Sequence, residues 1–136
     1  MTLELVSRRL GVFILVGLLS GLASMAKSFD IYGDVIRSLE TSLGGAWVLH
    51  TVIALSLGFL AAWSAPKYYY SQSKLRLSLW VWVLLLMVVA DEVLQAFNPL
   101  RQFSFVDLGI NISCVLTGAL IYHCYLFLSI TNESDV

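Results

Sequence analysis

Four stretches of the chain stay apolar long enough to dominate its folding: residues 10–26, 43–65, 79–97 and 108–130. A helix needs about 20 apolar residues to cross a bilayer, because the hydrocarbon core is about 30 Å thick and each residue rises about 1.5 Å. Within such runs helical periodicity carries no signal, since a helix in lipid is apolar all round. No segment alternates between apolar and polar positions as a barrel strand would. The runs are sharply bounded: Arg8 and Arg9 precede the first, Lys27 follows it, Pro66 closes the second, and Asn98-Pro99 separates the third from the fourth. The pattern predicts an all-α fold, a four-helix transmembrane bundle forming a single domain over residues 1–136.

Between the first two spans the spacing changes. Phe29, Tyr32, Ile36, Leu39 and Leu43 recur every three or four residues, while Asp30, Asp34, Arg37 and Glu40 fall mainly elsewhere on the wheel. This predicts a short helix lying in the outer interface, apolar face down, with an irregular loop around Gly33 as the alternative. The first span also has the basic start and apolar centre of a secretory signal, and Ser24-Met25-Ala26 fits a cleavage site. Three further apolar runs follow it, so a retained span is expected. With the N-terminus inside, the inner segments hold Arg8, Arg9, Lys67, Lys74 and Arg76, and the outer ones Lys27, Arg37 and Arg101. Five against three places both termini in the cytoplasm. Tyr68-Tyr69-Tyr70 beside Lys67 fits an aromatic belt on the same side.

Composition agrees with the pattern. Apolar and aromatic residues make up 59% of the 136 residues and charged ones 12%. Mean hydropathy is +0.85. A soluble domain carries about a quarter charged residues, so a soluble fold is excluded. A formal charge of -1 excludes a basic nucleic-acid binder. Cys114 and Cys124 lie on one apolar run, about 15 Å apart along a helix, too far for a disulfide.

The remaining information lies in polar residues inside the spans, each costing about 2.5–3.5 kcal/mol at mid-helix. Glu92 and Gln95 share a face of the third span, and Asp107 and Asn111 share a face of the fourth. Asp91 points about 100° from Glu92, toward another neighbour. Arg101 and Ser104 sit in the connection between them, and His50 lies about 10 Å below the same outer surface. Arg101 can bridge Glu92 and Asp107, which would pin the hairpin with no further role. His123 reads as an interfacial residue beside Tyr122 and Tyr125. Gly118, Gly109, Gly17, Ser20, Gly21 and Ser24 read as close helix contacts.

The run Asp91-Glu92-x-x-Gln95-x-Phe97-x-Pro99-x-Arg101-x-x-Ser104-x-x-Asp107-x-x-x-Asn111, with Gly118 after it, resembles the second half of the VanZ-like family of small multi-helix membrane proteins. The founding member of that family is linked to resistance to the glycopeptide teicoplanin. Family members usually also carry Asp-Lys-x-x-His-x-x-x-Tyr in an earlier span. Here His50 matches, while Ala46, Trp47 and Ala54 replace the other three, and Cys114 stands where glycine is usual. The resemblance implies a cell-envelope protein of a bacterial inner membrane, of the antibiotic-resistance type.

The polar cluster holds three carboxylates against one guanidinium. That charge does not suit a phosphate-dominated ligand, but it suits hydroxyls, amides or amines. The expected ligand-binding set is His50, Glu92, Gln95, Arg101, Ser104, Asp107 and Asn111, binding a lipid-linked or surface headgroup such as a lipid-linked glycan or peptidoglycan precursor. No cofactor and no metal are expected: nucleophile motifs, glycine-rich phosphate loops and His/Cys metal spacing are lacking. A headgroup-modifying enzyme with Glu92 or Asp107 as base is one alternative, and an accessory subunit of a larger membrane protein complex is another. Membrane lipids are the expected surroundings in every case.

Overall fold

The structure, a computed structural model, describes residues 3–71, 77–99 and 103–134. Its elements are α1 (Leu3–Ser28), α2 (Gly33–Ser42), α3 (Ala46–Trp63), the single-turn α4 (Lys67–Ser71), α5 (Leu79–Gln95) and α6 (Phe105–Ser134). There is no strand among the described residues. The short helix expected between the first two spans is α2.

Three helical segments are long and apolar enough to cross a membrane: Val6–Ser28, Ala46–Trp63 and Phe105–Ser129. By length and composition, three of the four expected spans therefore qualify, not four. The remaining helix, α5, has 17 residues, a rise of about 25 Å. It stops at Gln95 rather than Phe97, and its last turn carries Asp91 and Glu92. The second span also starts later than its apolar run. Gly44 (φ 95°) and Gly45 (φ 122°) adopt backbone conformations that a side chain disfavours, so helix α3 begins only at Ala46.

Contacts between the helices fix their directions. Arg9, near the start of α1, lies over Trp63 at the end of α3. Ser78, ahead of α5, donates its hydroxyl to the Ala61 carbonyl near the end of α3 (3.2 Å). At the other end Asn98, just past α5, donates to the Ser28 carbonyl (2.9 Å) at the end of α1. Helices α1, α3, α5 and α6 therefore alternate in direction, and α1 starts at the same end of the bundle where α6 finishes.

The tightest interface is α3 against α6. A side chain at Gly58 would collide with the Val115 carbonyl, and one at Gly118 with the Leu55 carbonyl. Backbones can approach this closely only because glycine presents no Cβ to the facing carbonyl, which is how helices adhere when lipid removes the hydrophobic drive between them. Around this contact Ala54, Leu57, Ala61, Val115, Ala119 and Tyr122 are buried, with Val81 and Leu84 from α5 and Phe13 from α1. Gly118 is a helix contact as expected. A side chain at Gly17, Gly21 or Gly109 would meet nothing within 4 Å, so these glycines correct that expectation.

The polarity of the molecule is inverted. Leu86 is 71% exposed and Phe97 81%, while Glu92 is 1% exposed. Such an apolar exterior calls for a lipid solvent. In lipid the last carbonyls of a helix need partners from the protein, and α3 has them. The Leu60 carbonyl accepts from Ser64 N (2.9 Å). The Ala61 carbonyl accepts from the Ser64 (2.9 Å) and Ser78 hydroxyls. The Ala62 carbonyl accepts from the Tyr70 hydroxyl (2.7 Å). Cys114 and Cys124 are both free, as their separation requires.

Candidate functional site

The polar site forms where α5 ends and α6 begins. Ser104 precedes α6, and its hydroxyl accepts from Asp107 N (3.2 Å), capping the helix. The Ser104 amide in turn donates to Glu92 Oε1 (3.0 Å). Glu92 is thus a buried carboxylate whose charge faces the positive end of the α6 dipole, the arrangement that lowers the cost of burying it. Asp107 contributes a second carboxylate in the same first turn.

One residue back, Asp91 faces α1, as its 100° offset from Glu92 requires. The Ser24 hydroxyl donates to both its carboxylate oxygens (3.1 and 3.2 Å). Gln95, 6% exposed, donates Nε2 to Asp91 Oδ2 (2.9 Å). The end of α5 is therefore tied to α6 by Glu92 and to α1 by Asp91 and Asn98. Unlike Glu92, Asp91 is exposed.

Of the residues expected to bind ligand, Glu92, Gln95, Ser104 and Asp107 gather at this end. Asn111 lies one turn further along α6 and His50 in the second turn of α3, both half-buried. No hydrogen bond among the described residues joins either of them to Glu92. Arg101 lies outside the described residues. From the sequence Asp91 belongs to the polar cluster but not to the expected ligand-binding set, and Ser24 and Asn98 belong to neither. Asp91 was legible as the carboxylate adjoining Glu92, whereas Ser24 and Asn98 had no signal, because their roles depend on which end of α1 meets α5.

Around the site, α2 is held by the ion pairs Lys27–Glu40 and Arg37–Asp30. It exposes Val35 and Leu39, and the turn ahead of it exposes Phe29 and Tyr32. Among the described residues no three His, Cys, Asp or Glu side chains converge as a metal site would require. The arrangement offers carboxylate acceptors, one exposed, beside an amide and hydroxyls. These are groups that bind sugar hydroxyls or amines.

The opposite end of the bundle is aromatic. The Tyr70 ring meets Tyr69, Tyr122 and His123 edge-on, with the His123 ring 4.5 Å away. Burial pushes the Tyr70 phenol up to about 12, so its hydroxyl stays a donor to Ala62 at every physiological pH. No protein family, curated protein or solved structure matches the chain.

Proposed function

We propose that this chain is a multi-pass protein of the bacterial cytoplasmic membrane, both termini cytoplasmic, that holds a lipid-linked or cell-surface headgroup against the polar end of α1, α5 and α6. The observation that carries the reading is the division of labour at the end of α5. Glu92 is sealed in and anchors the hairpin, while Asp91, exposed and oriented by Ser24 and Gln95, presents a carboxylate at the rim. A pure clamp would have no use for an oriented, exposed carboxylate beside an apolar surface.

In this reading α5 is the fourth crossing. Its ends are level with those of its neighbours, Ser78 beside Ala61 and Asn98 beside Ser28, and it is one residue shorter than α3. Helix α2 lies in the outer interface on its exposed apolar residues. The VanZ-like resemblance rests on the same segment, Asp91 to Asn111, and supports an envelope role of the glycopeptide-tolerance type.

The test is lipid retention. The protein is purified in mild detergent from bacterial membranes, and co-purifying glycolipid and lipid-linked precursors are measured by mass spectrometry. Asp91→Asn and Gln95→Ala are expected to lower retention about tenfold or more, the loss of one charge-assisted hydrogen bond, while leaving the helix content unchanged. Parental retention in both variants overturns the headgroup reading.

A further inference from the structure

Arg9 lies at the end of the bundle opposite Glu92. Its Cζ is 4.9 Å from the centroid of the Trp63 ring. It also approaches the hydroxyl of Tyr122, a side chain only 1% exposed. Its Nε and Nη1 are sealed from solvent and have no hydrogen-bond partner among the described residues. A guanidinium carries its charge at every pH a protein meets. The Trp63 face offsets part of the burial cost but supplies no acceptor for these N–H groups.

No carboxylate of the described residues answers this charge. Both ion pairs, Lys27–Glu40 and Arg37–Asp30, belong to the far end. On α1 itself Glu4 is five residues away, about 140° around the helix, where it faces Arg8 instead. The other charges placed at this end are all exposed: Glu4 and Arg8 on α1, and Lys67 at the start of α4. A desolvated guanidinium against an aromatic wall, with two exposed cations at the same end of the bundle, defines a site whose missing partner is an anion.

We propose that this end of the bundle binds the phosphate of an anionic phospholipid, with Arg9 as its ligand, Trp63 and Tyr122 holding the guanidinium while the site is empty, and Arg8 and Lys67 supplying the surrounding field. The forked donors of a guanidinium match phosphate oxygens. A rotamer change of this long side chain brings its nitrogens to headgroup level. A lipid is the source that the surroundings favour. Val12, Leu15 and Leu19 of α1 are exposed just beyond Arg9 and present an apolar track along which acyl chains can lie while the headgroup stays at the helix end.

The experiment uses the full chain in nanodiscs of phosphatidylcholine, with or without phosphatidylglycerol, and separately with inorganic phosphate added. Phosphatidylglycerol is expected to raise the melting temperature and to remain bound through detergent washing. Arg9→Met should retain at least about tenfold less of it, with Arg9→Lys in between, and Arg37→Gln at the other end should behave as the parent. In phosphatidylcholine alone, whose phosphate is balanced by its own choline, Arg9→Met should cost less stability than it does with phosphatidylglycerol present. Should Arg9→Met destabilise the fold, Arg9→Lys keeps the charge and carries the comparison. Equal phosphatidylglycerol retention by the parent and both Arg9 variants overturns the proposal, as does an equal loss in Arg37→Gln. Stabilisation by inorganic phosphate matching that by phosphatidylglycerol reassigns the site to a soluble anion and overturns the lipid occupant.

Discussion

Glu92 and Ser104 show how one carboxylate can be buried in an apolar bundle at low cost. The bond from the Ser104 amide to Glu92 satisfies a donor that the start of α6 leaves open, and the Ser104 hydroxyl satisfies another. A carbonyl oxygen can replace the carboxylate in that bond, but a methyl cannot. Glu92→Gln is therefore expected to cost little, whereas Glu92→Leu leaves the amide without its acceptor and should cost about 1–3 kcal/mol. Ser104→Ala removes the cap and should cost about 1 kcal/mol, against a few tenths for Ser104→Gly. Denaturation midpoints in mixed micelles measure all four. If Glu92→Gln proves as damaging as Glu92→Leu, the charge rather than the acceptor holds the hairpin. At this scale much was legible beforehand. Polar residues within apolar runs must find partners, and Glu92 finds the Ser104 amide while Gln95 finds Asp91. The aromatic cage of Arg9 was not legible, because Trp63 and Tyr122 are ordinary in an apolar sequence and only the crossing of α1 over the end of α3 makes them a wall.

Among the elements, α3 and α6 are held by contact between backbones at Gly58 and Gly118. A leucine at either position has to push one helix off the other, and overpacking of this kind costs about 1–3 kcal/mol or more. Gly17→Leu and Gly21→Leu on α1 meet open space and should be nearly neutral. Comparing the four variants by the same midpoints checks the assignment; a destabilised Gly17→Leu would mean that α1 has a neighbour of its own in the membrane. Composition could not separate these glycines, since all are small residues on apolar helices and sequence spacing alone does not say which face meets a partner. Helix limits were blurred for a related reason. The apolar run of the second span begins at Leu43, but the backbone of Gly44 and Gly45 delays the helix to Ala46. The run of the third extends to Phe97, yet its helix ends where Asn98 turns back to Ser28.

For the whole molecule, the alternation of α1, α3, α5 and α6 puts Glu40 and Lys67 at opposite ends, so their surroundings report the orientation. A cysteine at Glu40 should react with an impermeant maleimide added to intact cells, and one at Lys67 only after lysis. Labelling of Lys67→Cys from outside would invert the orientation and place the Glu92 end in the cytoplasm. The charge bias that predicts this orientation is only five to three, so the experiment adds more here than at the other scales. The number of long helices was less legible than their identity. Runs of similar hydropathy became helices of 26, 18, 17 and 30 residues once caps and turns were in place.

The bond between Glu92 and the Ser104 amide also constrains how the chain enters the membrane during synthesis. Leaving the ribosome alone, α5 offers twelve apolar residues, Leu79–Ala90, followed by two acids. Each acid is penalised by about 2.5–3.5 kcal/mol at the centre of a lone helix, and by less near its end. Asp91 finds its donor on α1, already made, but the donor for Glu92 lies twelve residues downstream. If α5 is the fourth span, its integration is expected to be coupled to the emergence of α6, the two entering as a hairpin joined by residues 96–104. On the proposed four-span arrangement, slowing translation just before Ser104 is expected to leave α5 waiting at the interface, so that the timing of biogenesis, and not hydropathy alone, would set when it crosses.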